Sequence, residues 1–269
     1  MSVLLMIVSA AFIILAVRFG LLRGLDQLGA ALSWSAKARG QATGYATSVP
    51  EFVCLVAAGL AGVWEAGLWN IASSNIINAV LMVVAVVRYR QLRDLFHRRF
   101  LDEILFAAAA VVVPLVLMQF ALDRSVAVVP ILLVFFVFYR IVDARVNKPA
   151  PEGDIEPASG SLPLGLILVT TGLVAIVIAG TFLGSATEDV VNQLGVHAAL
   201  AGWILGLCTS LPEMVTFMAV YSTARDAGEL DGLADTQEAL DNLTASNMAN
   251  VGLIYPIGLA IYLGVAAFG

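Results

Sequence analysis

Eight long apolar runs, separated by short polar segments, dominate the chain; they lie near residues 2–22, 43–63, 68–87, 104–122, 126–142, 162–187, 194–224 and 243–269. A hydrocarbon core about 30 Å thick is crossed by a helix of about 20 apolar residues, so each run predicts a membrane-spanning helix. A membrane barrel would instead show segments of about ten residues that alternate apolar and polar. The first run ends among Arg18 and Arg23 and lacks a small-residue cleavage site, which predicts a retained helix rather than a cleaved signal peptide. The less apolar stretch Leu25 to Gly40, with Lys37 and Arg39, is expected to open the second helix, its cations snorkelling to the interface.

Composition agrees: 60% of residues are hydrophobic, 13% are charged and mean hydropathy is +0.93, outside the range of soluble domains. Cys54 and Cys208 sit inside apolar runs with no ligand-like spacing, so neither a metal nor a disulfide framework is expected. A net charge of −6 gives no reason to expect nucleic acid. The expected partners are the lipid bilayer and small solutes, with no cofactor and no catalytic group; nothing here sets an oligomeric state.

If eight spans alternate, Arg18, Arg23, Lys37, Arg39, Arg88, Arg90, Arg93, Arg98, Arg99, Arg140, Arg145, Lys148 and Arg225 fall on one side, and of the 14 cations only Arg124 falls on the other. The positive-inside rule makes the first side cytoplasmic. Both termini are then expected outside the cell membrane, with the arginine-rich loop 88–99 and the acidic loop 225–241 inside.

The sequence also repeats itself. "TSVPEF" at 47–52 returns as "TSLPEM" at 209–214, an offset of 162 that Gly40 and Gly202, and Gly44 and Gly206, share. "NIASSNIIN" at 70–78 returns as "NLTASNMAN" at 242–250, an offset of 172, the ten extra residues lying in the acidic segment. On the expected topology the two copies cross in opposite directions, the arrangement of secondary transporters whose substrate site forms where interrupted helices meet at the midplane.

Glu51 and Glu213 are the two acids expected deep in apolar runs, where a carboxylate costs roughly 2.5–3.5 kcal/mol and is turned inward and used. Pro50 and Pro212 break the helix and leave the carbonyls of Ala46 and Cys208 without their usual donor. Thr47 and Glu51, and Thr209 and Glu213, are spaced i, i+4 and share a face; Ser74 with Asn78 and Ser246 with Asn250 repeat that spacing. Serines and asparagines in such helices also serve as interhelical glue, but four at matched positions favour coordination. The set offers carboxylate, hydroxyl, amide and carbonyl oxygens with no histidine, which suits calcium or sodium rather than a softer metal.

These words, "TSVPE" with "SSNIIN" and "TSLPE" with "ASNMAN", resemble the two alpha repeats of the sodium/calcium exchanger family. The resemblance, over 24–87 and 189–260, implies a sodium-coupled calcium antiporter working by alternating access. It makes Glu51 and Glu213 the central calcium carboxylates. Thr47, Ser48, Thr209 and Ser210 would bind through hydroxyl or backbone oxygen, Ser74, Asn78, Ser246 and Asn250 would complete the calcium and sodium sites, and Ala46 and Cys208 would lend carbonyls. Departures exist: Ala46 and Cys208 stand where the family has glycine before T-S, Ser73 and Ala245 where it has glycine before S-N, and both late positions are asparagine.

The expected fold class is therefore an all-α integral membrane protein, an inverted-repeat transporter of about eight transmembrane helices where the family has ten, the second half short of two. Residues 1–146 form the first repeat, of about five helices, with motif helices 30–63 and 66–88. Residues 147–161 form a cytoplasmic linker, and 162–269 the second repeat, of about three helices, with motif helices 194–224 and 238–269. The acidic segment 225–241 reads as a solvated loop, and 88–99 as a basic anchor. Two other functions stay open: a proton/divalent cation antiporter in which the two glutamates exchange protons, and a cation-binding membrane subunit that does not transport.

Overall fold

The computed structural model describes residues 2–60, 62–148, 160–228, 230 and 233–268, and among them every regular element is helical. The first helix is longer than its apolar run. α1 (Ser2–Ala16) passes through a π turn, Val17–Leu21, into α2 (Leu22–Ala31). Residues 25–31 thus extend the first helix and do not begin the second, which corrects the boundary expected from polarity. The chain turns at Ser33, whose φ is 51°, and restarts at α3 (Ala36–Thr47), where the Ser35 hydroxyl caps the Ala38 N–H, a standard helix-opening device.

The expected 43–63 span is two pieces, α3 and α4 (Val49–Leu60), stepped at Ser48. α5 (Trp64–Tyr89) carries the first S-N motif; the arginine-rich segment folds into a short α6 (Leu92–Leu95) and a 3-10 turn, Arg98–Phe100. α7 (Leu101–Gln119) and α8 (Val128–Val146) complete the first half. Residues 149–159 of the expected linker lie outside the described residues.

The second half opens with α9 (Leu162–Leu194) and repeats the step: α10 (Ala198–Thr209) and α11 (Leu211–Ala227) part at Ser210. α12 (Ala234–Ala249) runs through a π turn, Asn250–Ile254, into α13 (Tyr255–Phe268). Pro256 follows that turn and has no N–H to return to Gly252, which accounts for a widened turn in an otherwise regular helix.

Six helical stretches of the described residues are long and apolar enough to cross a membrane unaided: Val3–Ala31, Trp64–Tyr89, Arg98–Gln119, Leu162–Thr187, Ala198–Ala227 and Ala234–Ala267. The two other apolar runs correspond to the stepped α3 and α4 pair and to α8, which carries Arg140, Asp143 and Arg145 near its end. Large apolar side chains are exposed along the outer helices, among them Ile7 on α1 and Ile178 on α9, as a lipid-facing surface requires. This is a multi-pass membrane protein.

α1 and α2 lie along α9 as an outer pair, at a spacing small enough that a Cβ on Gly20 would stand 3.0 Å from the Gly172 Cα. The interior is unlike that of a soluble bundle, because the most buried helices are the polar ones. All of α12 from Asp235 to Ala249 except Glu238 is buried. The acidic segment is therefore no solvated loop beyond Leu233: Asp235 and Asp241 are packed inside, and α12 begins there. Hydropathy misses this because it averages around the helix, while α12 is enclosed on all sides.

Candidate functional site

The two stepped helices and the two S-N helices cross in pairs, α3 on α12 and α10 on α5, each pair made of one element from either half. Glycine permits the crossing. A Cβ on Gly44 would stand 2.4 Å from the Asn242 carbonyl oxygen, and one on Gly206 would stand 2.0 Å from the Ser73 hydroxyl. Gly44 and Gly206 are related by the first sequence offset; their partners Asn242 to Ser246 and Asn70 to Ser74 are related by the second.

At the crossings the expected residues converge. Thr47, Ser48, Glu51, Ser74, Asn78, Thr209, Ser210, Glu213, Ser246 and Asn250 are all buried to 1% exposure or less. Ser74 donates to Glu51 Oε1 at 3.2 Å, and its hydroxyl meets that of Thr209 at 3.1 Å. Ser246 likewise donates to Glu213 Oε1 at 3.0 Å and accepts from Ser48 at 2.9 Å. Each glutamate is thus held by the serine of its own half, and that serine by a hydroxyl from the other half. No lysine or arginine pairs with either carboxylate among the described residues.

What these groups leave free defines the site. Glu51 Oε2, Glu213 Oε2, Asn78 Oδ1 and Asn250 Oδ1 are buried with no hydrogen-bond partner. Their amide nitrogens are used: Asn78 donates to Asn247 Oδ1 at 3.2 Å, and Asn250 donates to Asn75 Oδ1 at 2.9 Å. Four oxygens from four helices are therefore oriented by their neighbours and unsatisfied, a costly arrangement unless a ligand completes it. Among the described residues no three of His, Cys, Asp and Glu gather, so two carboxylates with amide and hydroxyl oxygens make up the donor set.

The proline steps stand where sequence placed them. Pro50 and Pro212 follow the breaks at Ser48 and Ser210 and cannot return an N–H to the carbonyls of Ala46 and Cys208. The side chains of Ala46 and Cys208 turn away, packing on the apolar cluster of α1 and α9; only their backbone oxygens can serve the site. Thr47 returns its hydroxyl to the Thr43 and Gly44 carbonyls, and Ser210 bonds the Ser74 carbonyl at 3.5 Å.

Sequence reasoning missed the supporting amides. Asn75 is held by Asn250 and Asn247 while donating to the Ala110 carbonyl at 2.8 Å, which fixes α5, α7 and α12 together. Asn70 accepts from Thr209 at 3.2 Å, and Asn242 donates to Thr216 at 2.8 Å. Their recurrence at the second offset was the available signal.

Residues 164–267 match the family model described as sodium/calcium exchanger protein. The fold resembles that of the H+/Ca2+ exchanger CAX, with a TM-score of 0.68 and 14% identity over 99% of this chain and 69% of that one. It also resembles the sodium-calcium exchanger NCX_Mj soaked with 100 mM Na+ and 10 mM Sr2+, with a TM-score of 0.53 and 18% identity over 99% of this chain and 87% of that one. The same exchanger soaked with 2.5 mM Na+ and 10 mM Sr2+ gives 0.51 and 18%, over 99% and 88%. No curated protein sequence matches the chain. At these identities the structural likeness speaks for the fold, and within the second half residues 164–267 are similar to the sodium/calcium exchanger family model.

Proposed function

We propose that the chain is a secondary active cation antiporter that exchanges calcium for sodium by alternating access, with Glu51, Glu213, Asn78 and Asn250 as the ligands that face the ion. The observation that carries this reading is the set of four buried, unpartnered oxygens around two glutamates that no cation among the described residues neutralises. Calcium takes six to eight oxygens in flexible geometry. The hydroxyls of Thr47, Ser48, Thr209, Ser210, Ser74 and Ser246 and the carbonyls of Ala46 and Cys208 supply the remainder as the steps at Ser48 and Ser210 adjust. One divalent ion balances the two carboxylates; when it leaves, sodium ions take the same oxygens. Competition for shared ligands couples the two fluxes.

The halves 1–146 and 162–269 form inverted repeats in this reading, supported by the crosswise glycine packing, and the cation-rich side, with 88–99 and 225–241, faces the cytoplasm. A second reading, exchange of calcium for protons, is favoured by two observations. The higher TM-score belongs to an H+/Ca2+ exchanger, and the site holds two carboxylates with asparagine at both late positions. Reconstituted vesicles separate the two. Sodium-loaded vesicles should take up radiolabelled calcium only while a sodium gradient lasts. Uptake that ignores sodium and follows a pH gradient would select protons, and binding without any flux would remove antiport altogether.

A further inference from the structure

On the cation-rich side of the central site, α3, α8 and α12 meet in a second polar cluster. The ammonium of Lys37 has three N–H donors, and all three find oxygen: Asp143 Oδ1 at 3.0 Å, the Asp143 carbonyl at 3.0 Å, and the Asn147 carbonyl. Both carbonyls belong to the C-terminal end of α8, where the helix dipole favours a cation; that of Asp143 also accepts from the Asn147 N–H at 3.1 Å. The Asn147 amide bridges two carboxylates, donating to Asp143 Oδ1 at 3.1 Å and to Asp241 Oδ1 at 2.8 Å. Asp241 Oδ2 is buried and unpartnered.

We propose that this oxygen cluster is a second hard-cation site at the mouth of the ion pathway, and that in this closed arrangement the ammonium of Lys37 fills it. The proposal rests on the reading of the chain as a cation exchanger. Two carboxylates, two carbonyls and a tethered positive charge make a cation site whose cation is built in. With Lys37 withdrawn, the Asp143 carboxylate, the carbonyls of Asp143 and Asn147, and Asp241 Oδ2 present oxygens to calcium, water completing the shell. The arriving calcium ion raises the cluster's formal charge by one over the departing ammonium, and Arg140, which donates to Asp143 Oδ2 at 3.2 Å, keeps its place on the outer carboxylate oxygen.

Position puts the cluster on the route. Gln41, which donates to both Asp143 and Asp241, lies six residues before Thr47 on α3, and Asp241 lies five before Ser246 on α12. At 1.5 Å per residue the cluster is about 8–9 Å from the central oxygens along both helices. Lys37 has a long flexible stem and is 13% exposed, so it can swing out without unfolding the cap of α3. Exchange at the mouth then precedes exchange at the centre, and an ion leaving the centre meets a seat that Lys37 reclaims behind it.

Equilibrium binding of radiolabelled calcium to the purified full chain in detergent tests the proposal. The Glu213→Gln variant sets the baseline. The double variant Glu213→Gln/Lys37→Met should bind about one more calcium per chain than that baseline, and adding Asp143→Asn should remove the gain. A monodisperse double variant with no gain overturns the proposal. A Glu213→Gln baseline still at the wild-type level counts against Glu213 as a ligand, a failure of the central site and not of this one. If the double variant does not purify, amine-reactive labelling of Lys37 in the Glu213→Gln chain replaces it. Millimolar calcium should raise Lys37 labelling about threefold or more by displacing the ammonium, and an unchanged rate overturns the proposal.

Discussion

The crossing of α3 on α12 and the crossing of α10 on α5 have the same centre and different ends. At the centre both use glycine against the backbone of the S-N helix, and both present serine, threonine and glutamate. One turn out, Gly40 meets Glu238 and Asp241 while Gly202, its counterpart, meets Ala66 and Trp69. Beside Gly40 is Gln41, bonded to two aspartates; beside Gly202 is Trp203, 39% exposed. One crossing ends in a charged, hydrogen-bonded network and the other among tryptophan and apolar neighbours.

Four substitutions probe that contrast. The largest effect should come from Asp143→Ala, which strips Lys37 and Arg140 of their shared carboxylate; breaking a buried pair costs about 3–5 kcal/mol, read as a lowered unfolding temperature in detergent. A loss of under about 1 kcal/mol would mean that the network does not hold the mouth together. Next, Gly44→Ala and Gly206→Ala test whether the two centres are as alike as they look. Overpacking costs about 1–3 kcal/mol, and Gly44→Ala should cost more, because its new methyl meets a backbone oxygen whereas that of Gly206 first meets a serine hydroxyl that can rotate. Equal losses would show that Ser73, also bonded to the Gly202 carbonyl, is as fixed as backbone. The smallest effect belongs to Trp203→Ala, which at this exposure should change stability by about 0.5 kcal/mol or less. A larger loss would reveal the tryptophan end as a structural lock in its own right.

Much of the candidate site was legible because its parts are short words used twice: Thr-Ser-x-Pro-Glu and Ser-Asn-x-x-Asn each place their polar side chains within one or two helical turns. Lys37, Gln41, Asp143, Asn147 and Asp241 come from three distant segments with no repeat between them, and each of those segments is polar enough to read as loop or interface. Hydropathy erred for the same reason at residues 25–31 and 234–241. Gly24, Asp26 and Gln27 belong to a helix held by close packing on α9, and Asp235 to Asp241 belong to one enclosed by its neighbours. The capping serine at Ser35 was the local signal for the true start of α3.

The π turn at Asn250–Ile254 bears on the energetics of the exchange proposed above. Were the two halves identical, interchanging their conformations would map the inward-open protein onto the outward-open one, and the two would be equally populated. The extra residue in that turn changes the register of α13 relative to Asn250, and α5 has no matching turn after Asn78. In an exchanger of the kind proposed above, the balance between the open forms would thereby be tilted even without an ion gradient, giving the empty carrier a resting orientation.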